Sequence, residues 1–250
     1  MSGLRIAAGV LIATAACPSA HAAWKAKAEA GYLLARGNAS TDSANAKLDI
    51  ARETEKWRHA LVLNGLYGTS NEIKSAERWE ARWQTDYHFT EHAFVFGALR
   101  HEQDHFSGFD YQASATTGFG YEFRDTDRTQ FTASLGAGYR RLRPEELIKD
   151  DAGNVIQRIR GSRAEDLVGN ATVRYEHHVT ENTKILDALL VESGPDNTLT
   201  QNEFSVEVAM TERIALAVGY RIRHNSEPPA TLERTERLVT VNLVYGFERP

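Results

Sequence analysis

Cysteine is nearly absent from this chain. The single one, Cys17, lies in an N-terminal stretch expected to be removed, which leaves no disulfide and no thiolate chemistry. Long apolar runs are scarce too. Mean hydropathy is −0.45, and the only continuously apolar stretch is the opening one, "MSGLRIAAGVLIATAACPSAHAAW". Arg5 gives it a short basic head, Ile6 to Ala16 an apolar core, and Ala20-His21-Ala22 a small-residue cleavage site. That core is too short to cross a bilayer as a helix. Residues 1–22 therefore read as a secretory signal peptide, and residues 23–250 as the mature domain. The rival is a lipoprotein box at Thr14-Ala15-Ala16-Cys17 with Cys17 as lipid anchor, a box that Thr14 fits poorly. Excess basic charge is missing as well. Without Arg5, 28 Lys and Arg stand against 34 Asp and Glu, a net charge of −6. No basic stripe is present to attract a phosphate backbone, and no Gly-rich phosphate loop precedes a helix. Nucleic acid is excluded as a partner, and no cofactor is expected.

What is present is alternation. In "RWEARWQTDYHF", residues 78–89, Trp79, Ala81, Trp83, Thr85, Tyr87 and Phe89 share one parity, and every even position is polar. A helix would align only Trp79, Trp83 and Tyr87; a period of two accounts for the whole stretch. The same rhythm runs through Tyr111 to Phe123, Phe131 to Tyr139, Ile214 to Ile222 and Val239 to Phe247. Twelve such segments follow one another, at roughly 24–36, 43–54, 57–68, 76–89, 92–104, 110–124, 128–143, 164–179, 183–193, 199–210, 213–224 and 235–247. Two are blurred. Phe94 and Phe96 share parity with Arg100, Glu102 and Asp104, and Asp187 shares parity with Ile185 and Leu189.

Tight and long connections alternate strictly. Glu55-Lys56, Thr90-Glu91, Asp125-Thr126-Asp127, Thr180-Glu181-Asn182 and Thr211-Glu212 are tight; 37–42, 69–75, 105–109, 144–163, 194–198 and 225–234 are longer. In an up-and-down sheet alternate connections lie at opposite ends. This is the asymmetry of outer-membrane barrels, with short periplasmic turns and longer outer loops, and it makes "RGNAST" the first outer loop. Trp57 and Tyr67 share a face roughly 23 Å apart along the membrane normal, which suits two aromatic girdles around a lipid-facing band. The expected fold is all-β: a single up-and-down antiparallel transmembrane β-barrel of about twelve strands in the cell outer membrane. A soluble β-sandwich or lipocalin-like barrel would invert the meaning of the two faces. The segment lengths, the even count and the girdle spacing all disfavour it.

Several stretches also resemble a known family: "GYLLARGNASTDSANAKLDIARETEKWRHALVLNGLYG", "ERWEARWQTDYHF", "HFSGFDYQASATTGFGYEF" and "VRYEHHVTENTKI". They are similar to the YdiY-like family of salt-induced outer membrane proteins, a domain of unknown function (number 481). The similarity spans essentially the whole mature chain, and the Gly-Asn-x-Ser loop followed by "EKWRH" is its most specific part. The resemblance implies an outer-membrane barrel. It implies no established activity, cofactor or catalytic residue.

Two enzymatic readings arise from residues. His101-Glu102-Gln103-Asp104-His105 spells H-E-x-x-H, a zinc-hydrolase signature when helical. On a strand the two histidines stand roughly 13 Å apart, and a third ligand would fall at Tyr111. A barrel phospholipase would use a lipid-facing Ser–His pair, for which Ser107 with His105, or Ser193, are the candidates; no orienting group is positioned for either. The expectation is no enzyme, no catalytic residue and no metal ligand.

The larger constellation is the inward-facing set: Lys27, Glu29, Lys47, Asp49, Arg58, Arg78, Glu80, Arg82, Asp86, Arg100, Glu102, Asp104, Glu122, Arg124, Arg128, Arg140, Arg174, Glu176, Glu203, Glu207, Arg221 and Arg223. Twelve tilted strands enclose a backbone diameter of roughly 25 Å, which long side chains of both signs can fill. The set reads as the lining of a narrow channel for small polar or ionic solutes, or as a salt-bridged plug that closes a structural barrel. Gly118, Gly120, Gly136, Gly138, Gly219 and Gly246 also point inward and would leave a groove favouring passage. In the 144–163 loop, "NVIQRI" can form a hairpin arm with "DAGN" as its turn. Expected partners are outer-membrane lipids, the insertion machinery during biogenesis and, if the lumen is open, small polar solutes or ions.

Overall fold

Alternating sequences of this length can satisfy their backbone in lipid only by closing a ring, because the hydrocarbon offers no hydrogen-bond partner. The computed structural model describes residues 23–35, 41–71, 73–150, 155–228 and 233–249, and it shows such a ring. In chain order the strands are β1 (Ala23–Ala35), β2 (Thr41–Glu53), β3 (Trp57–Ser70), β4 (Ile73–His88), β5 (Ala93–Asp104), β6 (Phe109–Asp125), β7 (Thr129–Lys149), β8 (Val155–Arg160), β9 (Ala164–His178), β10 (Thr183–Ser193), β11 (Thr198–Ala209), β12 (Ile214–Asn225) and β13 (Thr235–Arg249). Each barrel strand pairs antiparallel with its sequence neighbour, β1 with β13 closes the termini, and the ring is complete without an edge. The strand β8 stands outside it, pairing with the end of β7 as a hairpin arm above the loop end. That is the arm expected from "NVIQRI". Its "DAGN" turn lies outside the described residues, as do the expected signal peptide with Cys17 and most of "RGNAST".

Burial is inverted relative to a soluble domain. Among the described residues 22 buried side chains are polar or charged and 9 are apolar, while 29 large apolar side chains are exposed, which sets lipid on the outside and polar groups within. The aromatics gather into girdles. Near the turn end, Trp57 meets Tyr87 at 4.9 Å, Tyr121 meets Phe123 at 5.1 Å, Phe123 meets Phe131 at 5.3 Å, and Phe131 meets Tyr175 at 6.5 Å. Tyr32, Tyr67, Trp79 and Tyr139 stand exposed toward the other end. The closed barrel with its apolar belt is an outer-membrane protein.

The two blurred segments resolve in opposite ways. In β5 the even face is inward throughout, so Phe94 and Phe96 are buried inside at 3% and 4% exposure. In β10 Asp187 faces outward, opposite Tyr175 of the girdle, and accepts a 2.8 Å hydrogen bond from Asn202. Its outward polarity thus sits at girdle level with a partner. The expected glycine groove does not exist where β6 meets β7. A Cβ on Gly120 would lie 2.0 Å from the Phe94 ring, and one on Gly136 2.8 Å from the Phe96 ring. On Gly118 and Gly138 it would strike the backbone of the facing strand at 2.1 and 2.0 Å. These glycines make room for two phenyl rings and a close strand approach rather than for solute.

The five tight turns share a motif that alternation alone does not reveal. Each runs Thr-acidic-x: Thr54-Glu55-Lys56, Thr90-Glu91-His92, Thr126-Asp127-Arg128, Thr180-Glu181-Asn182 and Thr211-Glu212-Arg213. The threonine Oγ1 accepts a backbone N–H inside its turn from Trp57 (3.1 Å), Ala93 (2.8 Å), Thr129 (3.0 Å), Asn182 (3.3 Å) and Ile214 (3.0 Å). The hydroxyl satisfies an N–H that the ladder leaves free, as Ser and Thr do in turns generally.

Two outcomes follow for stability in lipid vesicles. Gly120→Ala should lower the unfolding free energy by about 1–3 kcal/mol through overpacking, and adding Phe94→Leu should recover part of it. Thr90→Val should cost about 1 kcal/mol by removing the hydroxyl that accepts the Ala93 N–H. Denaturant titration followed by tryptophan fluorescence reads both.

Candidate functional site

Strand alternation delivers the polar side chains of all twelve barrel strands to one enclosed space. The register then decides which of them meet. At the middle and loop end, Arg100 on β5 donates to Glu80 at 2.7 Å and to Glu192 at 3.2 Å, and it also binds Glu102. Arg223 on β12 binds Glu102 and lies 3.3 Å from Asp104, both on β5. Around the ring, β5 and β12 are six strands apart in either direction, so this pair crosses the full width of the barrel. Arg78 on β4 donates to Asp104 at 2.5 Å and to Glu236 on β13. Arg140 is wholly buried and donates to Asp166 at 3.1 Å and to the Asn197 carbonyl at 2.8 Å. Arg223, at 1% exposure, is as enclosed as any core leucine.

Nearer the turn end the pairs are looser. Lys27 binds Glu207 at 2.7 Å and Glu29 at 3.2 Å. Lys47 lies 3.5 Å from Asp49 and 3.9 Å from Glu203, and Arg221 pairs with Glu203 at 3.0 Å. Arg58 holds Glu53 at 3.1 Å and Asp86 at 3.5 Å, Lys184 reaches Glu176 at 3.5 Å, and His88 meets Glu122 at 3.2 Å. Arg82 lies 3.6 Å from Glu80 and 4.0 Å from Glu203, the latter again six strands away across the ring. Two cavities of about 80 and 90 Å³ remain in this region, and Glu203 lines both.

Three expected members stand apart from the network. Arg124 follows a β-bulge that pairs it with the outward-facing Phe131, so alternation breaks there and the inward assignment fails. Arg128 is exposed at the rim and donates to the His178 carbonyl at 3.2 Å. Arg174 points into the lumen and is exposed to its water, with no hydrogen-bond or ion-pair partner among the described residues.

Several participants escape the alternation reading. Glu192 and Lys184 share their face with Leu186, Ala188 and Leu190, which masks them. Glu236 lies at the very start of β13, and Asn197 contributes from a loop. Glu192 had one signal: it is a charged residue at the parity opposite to Asp187.

The hydrolytic candidates are dispersed. His101 points outward, tilted against Trp79 at 5.0 Å and stacked on Tyr111 at 6.0 Å, while Glu102 points inward onto guanidinium groups. His105 Nδ1 takes a 2.9 Å hydrogen bond from Arg158 on the hairpin arm. Ser107 is buried and donates to the Asp104 carbonyl at 3.1 Å, and Ser193 pairs with Thr198 at 3.0 Å; neither serine meets a histidine. Among the described residues no three His, Cys, Asp or Glu side chains are grouped to hold a metal ion.

Comparison with known proteins adds the lineage. The uncharacterized protein YdiY of Escherichia coli (strain K12) is 27% identical over 230 residues, covering 92% of this chain and 85% of that protein. Among solved structures, the NanC porin aligns at a TM-score of 0.46 and 12% identity, over 89% of this chain and 97% of that one. The COG4313 outer membrane channel from Pseudomonas putida F1 aligns at 0.48 and 10% identity, over 96% of this chain and all of that one, 100%. Residues 28–247 match the family model described as "Protein of unknown function, DUF481". That match spans most of the chain, and the protein belongs to the DUF481 family.

Proposed function

We propose that this outer-membrane barrel is held closed by ion pairs across its lumen, and that it serves the envelope as a closed barrel rather than as a general diffusion porin. The observation that carries this is the Arg223 contact with Glu102 and Asp104 from the opposite wall. Side chains that meet from opposite walls divide the aqueous space between them and narrow any path through it. Removing either sign would strand buried charge, a cost of several kcal/mol, so the latch resists opening by thermal motion. No enzymatic role is proposed, since the hydrolytic residues are scattered over both faces.

A narrow channel for small ions is the second reading. The 4.0 Å Arg82–Glu203 link and the flanking cavities favour it, because this is the loosest crossing. The salt connection implied by the family would act at such half-exposed pairs. Mobile ions screen them more strongly than the enclosed Arg223 cluster.

Planar-bilayer recording of the folded chain tests both. The wild type should show no porin-sized ohmic steps, and Arg82→Ala should add small-ion conductance while lowering stability less than Arg223→Ala does. Arg223→Ala should lower the unfolding free energy by about 3–5 kcal/mol. Large, steady steps in the wild type would contradict the closed reading.

A further inference from the structure

The lipid-facing wall formed by β9, β10 and β11 differs from the rest of the belt. On β10, Asp187 faces outward between Tyr175 of β9 and Phe204 of β11, and neither neighbour carries charge. Asn202 of β11 lies diagonally beside it, opposite Leu189, and donates the 2.8 Å hydrogen bond. From that pair a polar seam continues along β11 toward the loop end, through Thr200 to Thr198, whose hydroxyl meets Ser193 at 3.0 Å. A carboxylate held by one neutral amide is costly at a lipid-facing position, and an ionisable group in such a place points to a function.

A second, independent observation is a gap in the loop-end girdle. Tyr32, Tyr67, Trp79 and Tyr139 stand exposed there on β1, β3, β4 and β7. The outward positions in the loop half of β9 to β11 carry no aromatic residue; they include Leu167, Gly169, Val191 and Ser193. Gly169 is exposed, and a Cβ built on it would meet nothing nearer than 4.0 Å. Amphipathic aromatics mark where a barrel meets headgroups. Small and hydroxyl-bearing side chains instead suit close approach of another polypeptide, and polar groups hold such contacts together in lipid. The missing anchors and the outward polar pair fall on the same three strands.

The hydrogen-bonding groups indicate what covers this wall. Copies inserted in one membrane share an orientation, so a closed pair of them has its two-fold axis along the membrane normal. Each patch then meets itself at its own height. Asp187 and Asn202 suit that constraint, because they touch each other and so lie at one height. A carboxylate accepts only, while the Asn202 amide has two N–H donors, one of them given to Asp187 of its own chain. The second can be given to Asp187 of the other copy. Exchanged across the axis, two amides and two carboxylates close a ring in which each carboxylate takes two hydrogen bonds and the amides separate the charges.

We infer that the outer face of β9, β10 and β11 is a self-association surface, and that the barrel pairs there with a second copy of itself about Asp187 and Asn202. The inference concerns the outer wall alone and goes beyond the closed reading of the lumen.

Sedimentation equilibrium of the folded protein in an uncharged, density-matched detergent tests it by counting copies. We expect a reversible dimer. The double variant Asp187→Leu, Asn202→Leu should weaken the dimer about tenfold or more. It should fold as well as the wild type, since it removes polarity only from a lipid-facing position. Asp187→Asn, which keeps an acceptor, should weaken the dimer less. Leu63→Ala, on β3 at the far side of the ring, should leave it unchanged. Heat-modifiable gel mobility shows that each variant is folded. A wild type that stays monomeric at every concentration would overturn the surface. So would an unchanged dimer in the folded double variant, or a wild type recovered with a different polypeptide on this wall.

Discussion

Closure of the backbone ring governs everything else here. In a bilayer every N–H and C=O must find its partner within the protein, and only a ring of strands does so without an edge. Once the β1–β13 and β6–β7 pairings complete that ring, strand alternation must place one side-chain set against lipid and the other in a confined interior. The exterior accordingly carries tryptophan, tyrosine and branched aliphatic residues. The interior receives whatever the even or odd register delivers, and in this chain that is a dense mixture of arginine and carboxylate.

A confined, charged interior has its own requirement. Ions removed from bulk water must be matched, or the barrel carries uncompensated charge. The chain meets this with contacts that span the space instead of lining it. Arg100 gathers carboxylates from its own strand, from β4 and from β10, and Arg223 reaches β5 from the far wall. In the closed reading proposed above, polar matching and closure of the lumen become one property. The phenyl rings of Phe94 and Phe96, seated over glycines of β6 and β7, complete the filling on that side.

Much of the fold was legible in the residues because period-two alternation is a direct imprint of a two-faced strand, and because turn length reports which end of a barrel a connection occupies. The twelve segments, the hairpin arm and the girdle at Trp57 and Tyr67 all came from those two signals. Facing was harder where chemistry and parity disagreed. Phe94 and Phe96 looked wrong for a polar interior, and only the neighbouring strand's missing side chains at Gly120 and Gly136 explain them. Arg124 was misplaced because a bulge shifts parity by one without altering composition. The partnering of inward charges lay beyond single-segment reading. Arg223 meets Glu102 only through curvature of the whole ring, and Arg174 has no ion-pair partner among the described residues for the same reason.

The contact on which this account turns is the crossing from β12 to β5. A double-mutant cycle on Arg223→Gln and Glu102→Gln, with unfolding free energies measured in lipid vesicles, isolates it from effects of either residue alone. The account predicts a favourable coupling of about 1 kcal/mol or more, as expected for charged groups in direct contact. Additivity within measurement error would mean that the walls do not touch there, and would contradict the proposed closure of the lumen.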